Sequence, residues 1–189
     1  MSAQLQGRRI AILAADGVEQ VEFEQPKDAV EAAGATTELL SLSEGEIQAV
    51  NGDINPSARI PVDQAVGQAS PDDYDALLLP GGTANPDKLR QDKAAVSFVR
   101  AFVTGGKPVG VICHGPWTLV EADVVRGRTL TSWPSMRTDI INAEGTVVDE
   151  QVVTDGNITS SRMPDDLPAF CARVVEQFAA AAPQRTDAN

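Results

Sequence analysis

Histidine and cysteine are scarce in this sequence of 189 residues, which contains one histidine and two cysteines. A single imidazole excludes zinc sites built from several histidines, and there is no Cys-x-x-Cys pair to hold a structural zinc ion or an iron–sulfur cluster. We therefore expect neither a metal nor another cofactor. Two widely spaced thiols do not make a disulfide framework, a pattern typical of proteins from a reducing compartment.

Basic residues are outnumbered by acidic ones, 15 against 27, which gives a formal net charge of −12. Such an excess of negative charge repels nucleic acid and anionic membranes, so neither is expected as a partner. The apolar runs are too short to span a membrane, and residues 1–9 lack the apolar region of a signal peptide. We expect a cytoplasmic protein.

Strand-like apolar runs alternate with helical patterns, which predicts one α/β domain over residues 1–189 with its core at 9–180 and a frayed tail at 183–189. Near-continuous apolar strands indicate a doubly wound, mostly parallel sheet with helices on both faces. Functional groups in such folds lie at the carboxyl ends of the strands. Strands are predicted at 10–14, 36–42, 75–80, 107–113, 129–131, 147–148 and 158–160, a hairpin at 45–66, and helices at 22–33, 92–103, 135–142 and 165–180.

Cys113 ends the apolar run 107–112 and is followed at once by His114 and a Gly-Pro pair. A reactive side chain between a strand and a helix start predicts a sharp elbow that lifts the sulfur out of the sheet. The thiol has an ordinary pKa of roughly 8.5, and a nearby helix N-terminus favours its thiolate. A buried structural cysteine is the alternative. Cys171, by contrast, lies in an apolar helical stripe and is predicted to pack in the core.

Two further groups are expected near this thiol because they also follow strands. Gly81 and Gly82 place backbone N–H groups where an oxyanion could develop, together with the amide of His114; a plain turn is the alternative. Glu19 lies in an acidic cluster after the first strand. It is a candidate for a protonated acid that hydrogen-bonds the sulfur and tunes both pKa values, the alternative being an ordinary acidic helix start.

Four motifs carry a resemblance to a known family: GVE at 17–19, LPGG at 79–82, VICHGP at 111–116 and SSRMPDDL at 160–167. In this order they resemble the PfpI branch of the Parkinsonism-associated deglycase superfamily, over about residues 9–180. That superfamily is related to class I glutamine amidotransferases, so the resemblance implies a flavodoxin-like fold. Its members are described as intracellular proteases, deglycases or glyoxalases, chaperones and oxidative-stress proteins.

The resemblance also implies roles for individual residues. Cys113 matches the nucleophile, His114 the adjoining histidine, and Glu19 the protonated acid that contacts the thiol. Gly81 and Gly82, with the His114 amide, match the oxyanion region.

A homodimer or larger homo-oligomer is implied as well, because the family is proposed to complete its triad with an acid from a neighbouring subunit. Asp87 is the candidate for that acid in this chain. Arg162 resembles a family arginine near the dimer interface. Trp117 and Trp133 follow the elbow and are candidates for narrowing the mouth of the pocket, which would suit small substrates; ordinary structural packing is the alternative.

Two classes of function remain open at this point. The first is a stress-response, cysteine-dependent hydrolase or lyase, in which Cys113 attacks the carbonyl of a small α-oxoaldehyde, a glycated group, or a peptide or amide bond. A small α-oxoaldehyde or its protein adduct is the preferred substrate class. The second is a non-enzymatic oxidative-stress sensor or chaperone-like protein that works through oxidation of the same thiol. Both depend on one residue, so the sequence does not separate them.

Overall fold

The computed structural model describes residues 4–181, so the tail expected at 183–189 lies outside the described residues. The described chain alternates short strands with helices as predicted. The strands are β1 Arg9–Leu13, β2 Val18–Glu19, β3 Thr36–Ser41, β4 Gly45–Asn51, β5 Asn55–Val62, β6 Gln64–Ala65, β7 Ala76–Leu79, β8 Val109–Ile112, β9 Thr129–Leu130, β10 Thr146–Val147, β11 Val152–Asp155 and β12 Ile158–Ser161. The helices are α1 Gln20–Ala32, α2 Ala84–Leu89, α3 Lys93–Thr104, α4 Pro116–Glu121, α5 Arg137–Asn142 and α6 Leu167–Ala180.

Seven strands form the central sheet in the order β11-β12-β8-β7-β1-β3-β6. Neighbouring strands run parallel throughout, except that β11 pairs antiparallel with β12 at one edge. This arrangement is flavodoxin-like and confirms the predicted mostly parallel sheet. The carboxyl ends of β1, β7, β8 and β12 consequently meet at one edge, where the strand order leads us to look for the site.

Two apolar cores cover the two faces of the sheet, because successive side chains of a strand point to opposite sides. In β1, Ala11 and Leu13 belong to one core, whereas Ile10 and Ile12 belong to the other. Helix α3 packs on the first core, while α1 and α6 pack together on the second. Cys171 is partly buried against the second core. The strands are therefore covered on both sides, which explains why their sequences are apolar throughout.

The predicted hairpin is present and forms a small sheet of its own. Strands β4 and β5 pair antiparallel around a turn at residues 52–54, and β2 adds to β4 in parallel. The chain leaves the central sheet after β3, forms the hairpin, and returns to the central sheet at β6. Three elements, β2, α2 and β11, were not predicted from the sequence, because none has more than six residues and a periodic pattern cannot be recognised over so short a segment.

The helix boundaries agree with the sequence where a cap marks them. The side chain of Asp92 accepts a hydrogen bond from the Ala95 N–H at 2.8 Å and caps α3, as predicted. The segment predicted as helix 135–142 begins instead as a 3-10 turn at Pro134–Met136 before α5. Within residues 4–181, no helix has the length and apolar character needed to cross a bilayer.

Candidate active site

Cys113 occupies the predicted elbow between β8 and α4. Its backbone has a φ of 62°, in the left-handed region that few residues other than glycine adopt. The Cys113 N–H donates to the Ser161 carbonyl at 3.1 Å, and the Gly115 N–H donates to the Ile112 carbonyl at 2.9 Å. A cysteine in this conformation is held by its neighbours against its own preference. The elbow turns the sulfur toward the meeting point of the strand ends.

The sulfur of Cys113 is buried, with 5% of the residue exposed. Burial raises the pKa of the thiol well above its ordinary value, and a charged Glu22 raises it further, whereas the N–H groups of Gly82 and His114 lower it. The prediction that the helix N-terminus favours the thiolate of Cys113 is therefore wrong, because the effect of burial on the pKa is larger. At neutral pH the resting sulfur carries its proton, and it must lose that proton to a nearby base when it reacts.

Glu22 is the carboxylic acid that lies beside the sulfur. The residue is 1% exposed, and burial raises its pKa to about 8, so that it is protonated at neutral pH. Its oxygens lie within reach of the Cys113 thiol and the Gly81 N–H, although neither interaction has the geometry of a full hydrogen bond. A neutral acid in this position avoids the charge repulsion that would oppose a thiolate.

Glu19, which the sequence pointed to for this role, has a different position, and that assignment is wrong for this structure. Its two carboxylate oxygens accept hydrogen bonds from the N–H groups of Gly52 at 3.0 Å and Asp53 at 2.9 Å. Glu19 ends β2 and precedes α1, so its side chain faces the hairpin turn. Glu22 lies in the first turn of α1, where it reaches the elbow.

The hairpin turn is attached to the glycine loop by a second contact. Asp53 has a φ of 66°, and its Oδ1 accepts a hydrogen bond from the Thr83 N–H at 2.8 Å. Glu19 contributes a further link, since its N–H donates to the Gly81 carbonyl at 3.3 Å. The turn at residues 52–54 is thereby held against the loop that follows β7, close to the sulfur.

Gly81 and Gly82 lie beside the thiol, as predicted, but their N–H groups have separate partners. The N–H of Gly82 is directed at the sulfur together with that of His114, whereas the N–H of Gly81 is directed at Glu22. A side chain at position 81 has no room, because its Cβ would lie 2.6 Å from the Cβ of Cys113. Glycine is thus required at position 81 for the close approach of the backbone to the nucleophile.

Asn85 supports this loop from beneath and was not identified from the sequence. Its side chain is fully buried and accepts a hydrogen bond from the Ala15 N–H at 2.7 Å. The same amide donates to the carbonyls of Pro80 and Gly81, each at 2.9 Å. One side chain therefore joins the ends of β1 and β7. The signal was an amide residue shortly after the Gly-Gly pair, a position where a polar side chain can satisfy loop carbonyls.

His114 adjoins the sulfur, and 4% of the residue is exposed. Its Nδ1 lies 3.2 Å from the sulfur of Cys113, and its Nε2 lies 3.1 Å from the hydroxyl oxygen of Ser135. The rings of Trp117 and Trp133 flank it, with centroids at 5.3 and 5.7 Å. Burial lowers the pKa of the imidazole, so the ring is neutral at neutral pH and able to accept the thiol proton.

Ser135 was not identified as a site residue from the sequence, because it lies 21 residues beyond His114 at the start of a predicted helix and belongs to no recognised motif. Trp117 was a candidate, and the structure places it beside His114 with its indole N–H donating to Asp139 at 2.8 Å. Both tryptophans are half-buried, so they narrow the approach to the imidazole.

Two other candidates lie apart from this group within the chain. Asp87 is exposed on α2, where its carboxylate accepts a hydrogen bond from Gln91 at 3.3 Å beside an open groove of about 850 Å³. Arg162 follows β12 and makes two hydrogen bonds to Asp166, at 2.8 and 3.0 Å, and one to Asp149 at 2.8 Å. The guanidinium is therefore occupied by carboxylates of its own chain.

Comparisons with known proteins identify the family to which the chain belongs. A family model described as the DJ-1/PfpI family matches residues 8–177. The chain belongs to the DJ-1/PfpI family. Uncharacterized proteins of Staphylococcus aureus strain Mu50 and Staphylococcus epidermidis are each 40% identical to it, over 90% and 92% of this chain and 98% and 99% of their own.

Solved structures of other DJ-1/PfpI proteins have the same fold. Drosophila melanogaster DJ-1beta superposes with a TM-score of 0.82 at 28% identity, over 95% of this chain and 91% of the fly protein. A two-domain protein from Anabaena variabilis, which contains DJ-1/ThiJ/PfpI-like and ferritin-like domains, gives a TM-score of 0.85 at 31% identity over 96% of this chain. The present chain spans about half of that protein, 52% of its length.

Proposed function

We propose that this member of the DJ-1/PfpI family is a cysteine-dependent hydrolase or lyase that acts on small α-oxoaldehydes in a stress response. The observation that carries the proposal is the placement of one neutral base and one neutral acid around a single sulfur. His114 Nδ1 lies 3.2 Å from the sulfur of Cys113, and the carboxyl group of Glu22, whose pKa is raised to about 8 by burial, lies within reach of the same sulfur.

The first step is the attack of sulfur on the aldehyde carbon. The thiol proton of Cys113 passes to Nδ1 of His114, and the sulfur electron pair forms the C–S bond while the C=O π pair moves to oxygen. We assign stabilisation of the resulting oxyanion to the N–H groups of Gly82 and His114, which already lower the pKa of the neighbouring thiol. Return of the proton from the imidazolium to that oxygen gives a hemithioacetal.

The second step completes the reaction without an external oxidant. His114 removes the proton from the former aldehyde carbon and the ketone oxygen takes up a proton, which gives an enediol. The proton is then returned to the former ketone carbon while the oxygen on the sulfur-bearing carbon gives up its hydroxyl proton, and the adduct becomes a thioester of a 2-hydroxy acid. Water then cleaves the C–S bond, which releases the acid and restores the thiol of Cys113. The net reaction adds one water molecule to the α-oxoaldehyde.

Protonated Glu22 is needed throughout this sequence. Its anion would raise the pKa of the Cys113 thiol further, whereas the neutral acid leaves a transient thiolate without a like charge beside it. The small exposed fraction of the sulfur, together with the half-buried rings of Trp117 and Trp133 beside His114, favours a small substrate over a polypeptide.

Methylglyoxal consumption tests the proposal in a buffer free of amines and thiols. The wild type should consume many equivalents per chain, Cys113→Ala should consume none beyond the blank, and the matched Cys171→Ala variant should behave like the wild type. Consumption that stops at about one equivalent per chain would show simple trapping by a thiol and contradict the proposal.

A second candidate function, a peroxide sensor, is favoured by the same donors. In the reaction with a peroxide, the Cys113 sulfur attacks one oxygen, the O–O bond breaks, and the other oxygen leaves as water or an alcohol. The resulting sulfenic acid would be stabilised by the N–H groups of Gly82 and His114 and by the protonated Glu22. Mass spectrometry after mild peroxide treatment distinguishes the two. Oxygen addition to Cys113 before Cys171, in a protein that does not turn over methylglyoxal, supports the sensor; equal oxidation of the two thiols contradicts it.

A further inference from the structure

Both ring nitrogens of His114 have partners within the chain. Nδ1 lies 3.2 Å from the sulfur of Cys113, and Nε2 lies 3.1 Å from the Oγ of Ser135. An imidazole nitrogen makes one in-plane hydrogen bond, either as a donor or as an acceptor. The Nε2 position is therefore occupied, and it is the position that a third member of a catalytic triad would otherwise take.

The backbone fixes the hydroxyl in this place. The Trp133 N–H donates to the Cys113 carbonyl at 3.1 Å, which attaches the loop before Ser135 to the elbow itself. The Met136 N–H donates to the Trp133 carbonyl at 3.0 Å, and the side chain of Met136 is fully buried. Ser135 is thus held between two anchored residues, and its hydroxyl faces the ring as a consequence of the 3-10 turn.

A hydroxyl is suited to this position because it both donates and accepts. When the Cys113 thiol donates to Nδ1, the neutral ring carries its hydrogen on Nε2, and this N–H donates to the Ser135 oxygen. After proton transfer both ring nitrogens carry hydrogen, and the same oxygen still accepts from Nε2. Ser135 therefore holds the ring through the whole proton cycle without rotating it.

We propose that Ser135 is the positioning residue that orients His114 and selects its Nε2–H tautomer, so that the site is completed within one chain and does not need Asp87 of a neighbouring subunit. This assignment rests on the proposed function only where it predicts an effect on methylglyoxal turnover; the tautomer of His114 does not depend on turnover. Within one chain, Asp87 is exposed on α2, hydrogen-bonded to Gln91 and apart from His114, and the Asp87→Asn variant tests whether it acts on His114 from a neighbouring subunit.

Other charged or titratable groups face His114 and must be held constant in the test. They are Cys113 on the elbow, Glu22 on α1 beyond the sulfur, and Asp53 in the hairpin turn, whose charge raises the pKa of the imidazole against the effect of burial. The carboxylate of Asp139 accepts a hydrogen bond from the indole N–H of Trp117, whose ring lies beside His114. None of them is altered in the variants below.

The experiment is nitrogen-15 NMR of the imidazole, which gives one set of ring signals because the chain contains a single histidine. Tag-free protein is compared as wild type, Ser135→Ala, Ser135→Thr and Asp87→Asn, above the pKa of His114. The wild type, Ser135→Thr and Asp87→Asn should show the Nε2–H tautomer, and Ser135→Ala should show a mixture. Ser135 is exposed at the surface, so its replacement should leave the fold intact, as amide spectra of the same samples will show.

The reactivity of Cys113 supplies a second readout that does not depend on turnover. In a Cys171→Ser background, the rate of alkylation by iodoacetamide should fall about tenfold in Ser135→Ala and remain close to wild type in Ser135→Thr and Asp87→Asn. An unchanged tautomer in Ser135→Ala, or a loss of the Nε2–H form in Asp87→Asn, would overturn the proposal. A protein that fails to consume methylglyoxal but shows the expected tautomers would refute the enzyme and leave this assignment standing.

Discussion

The carboxyl group of Glu22 and the sulfur of Cys113 share one buried space, with 1% and 5% of the two residues exposed. Two acidic groups in such a space cannot both lose their protons, because a second negative charge would have no solvent to stabilise it. Burial raises the pKa of each, and Glu22 keeps its proton to about pH 8. The charge state of the Glu22 carboxyl group thus controls how readily the Cys113 thiol loses its proton.

A pH-dependent stability difference follows from the raised pKa of Glu22. The folded-state value of about 8 exceeds the ordinary 4.5, so the contribution of this group is fully present below about pH 4.5 and is lost as the pH rises through about 8. Between these limits the free energy of unfolding of the wild type should fall relative to Glu22→Gln, by on the order of a few kcal/mol. Urea unfolding at a series of pH values measures this difference; a constant difference would contradict the assignment.

The activity should follow the same group. The rate of methylglyoxal turnover by the wild type should decline as the pH rises through about 8, because ionised Glu22 places a negative charge beside the sulfur. Glu22→Gln lacks that ionisation, so the decline should vanish from its pH profile even if its maximal rate is lower. A decline that persists unchanged in Glu22→Gln would assign it to another group.

Glu19 should stabilise the hairpin turn, and its replacement should leave the reactivity of the Cys113 thiol unchanged. Its carboxylate accepts from the N–H groups of Gly52 and Asp53, so Glu19→Ala should speed hydrogen exchange of both amides and lower the free energy of unfolding by about 1–3 kcal/mol. Glu24→Ala, in which a nearby acid on α1 is removed, is the control and should leave these amides protected. Exchange that rises equally in both variants would show a general loosening of the helix instead.

Replacement of Asn85 should lower the free energy of unfolding, although this side chain takes no part in the proposed reaction. Asn85→Ala removes three hydrogen bonds and leaves the Ala15 N–H without its buried partner, so the free energy of unfolding should fall by about 2–4 kcal/mol. Gln91→Ala, which removes an exposed amide that bonds only to Asp87, should change it by less than about 0.5 kcal/mol. Urea unfolding of both variants at one pH provides the comparison.

The close approach of the backbone at position 81 leads to a steric prediction. In Gly81→Ala the new Cβ would lie 2.6 Å from that of Cys113, so the loop or the nucleophile must move. We expect a loss of about 1–3 kcal/mol in stability and a larger effect on alkylation of Cys113. Gly67→Ala, whose Cβ would meet only the Ala94 Cβ at 3.9 Å, is the matched control. Similar alkylation rates in the two variants would count against the assigned loop position.

The architecture was predictable from the sequence because apolar strands and their Gly and Pro boundaries are local signals. The elbow at Cys113 was predictable for the same reason, since a strand, a turn and a helix start follow one another directly. The identity of the buried acid was not. Glu19 and Glu22 are three residues apart, and only the short strand β2, which pairs with the distant β4, shows which of them faces the sulfur. Contacts such as Ser135 with His114 likewise depend on how separate loops meet in three dimensions.

The hairpin of β4 and β5 stands outside the central sheet and is attached near the nucleophile through Glu19 and through the Asp53–Thr83 hydrogen bond. The hydrogen bonds that attach the turn involve Gly52 and Asp53, so a change of the side chain at position 54 leaves them in place. Ile54, 79% exposed at its tip, is free to be replaced by a residue of another size or charge. The side chain at the tip of this hairpin can thus vary while the hydrogen bonds that hold the turn against the glycine loop are kept.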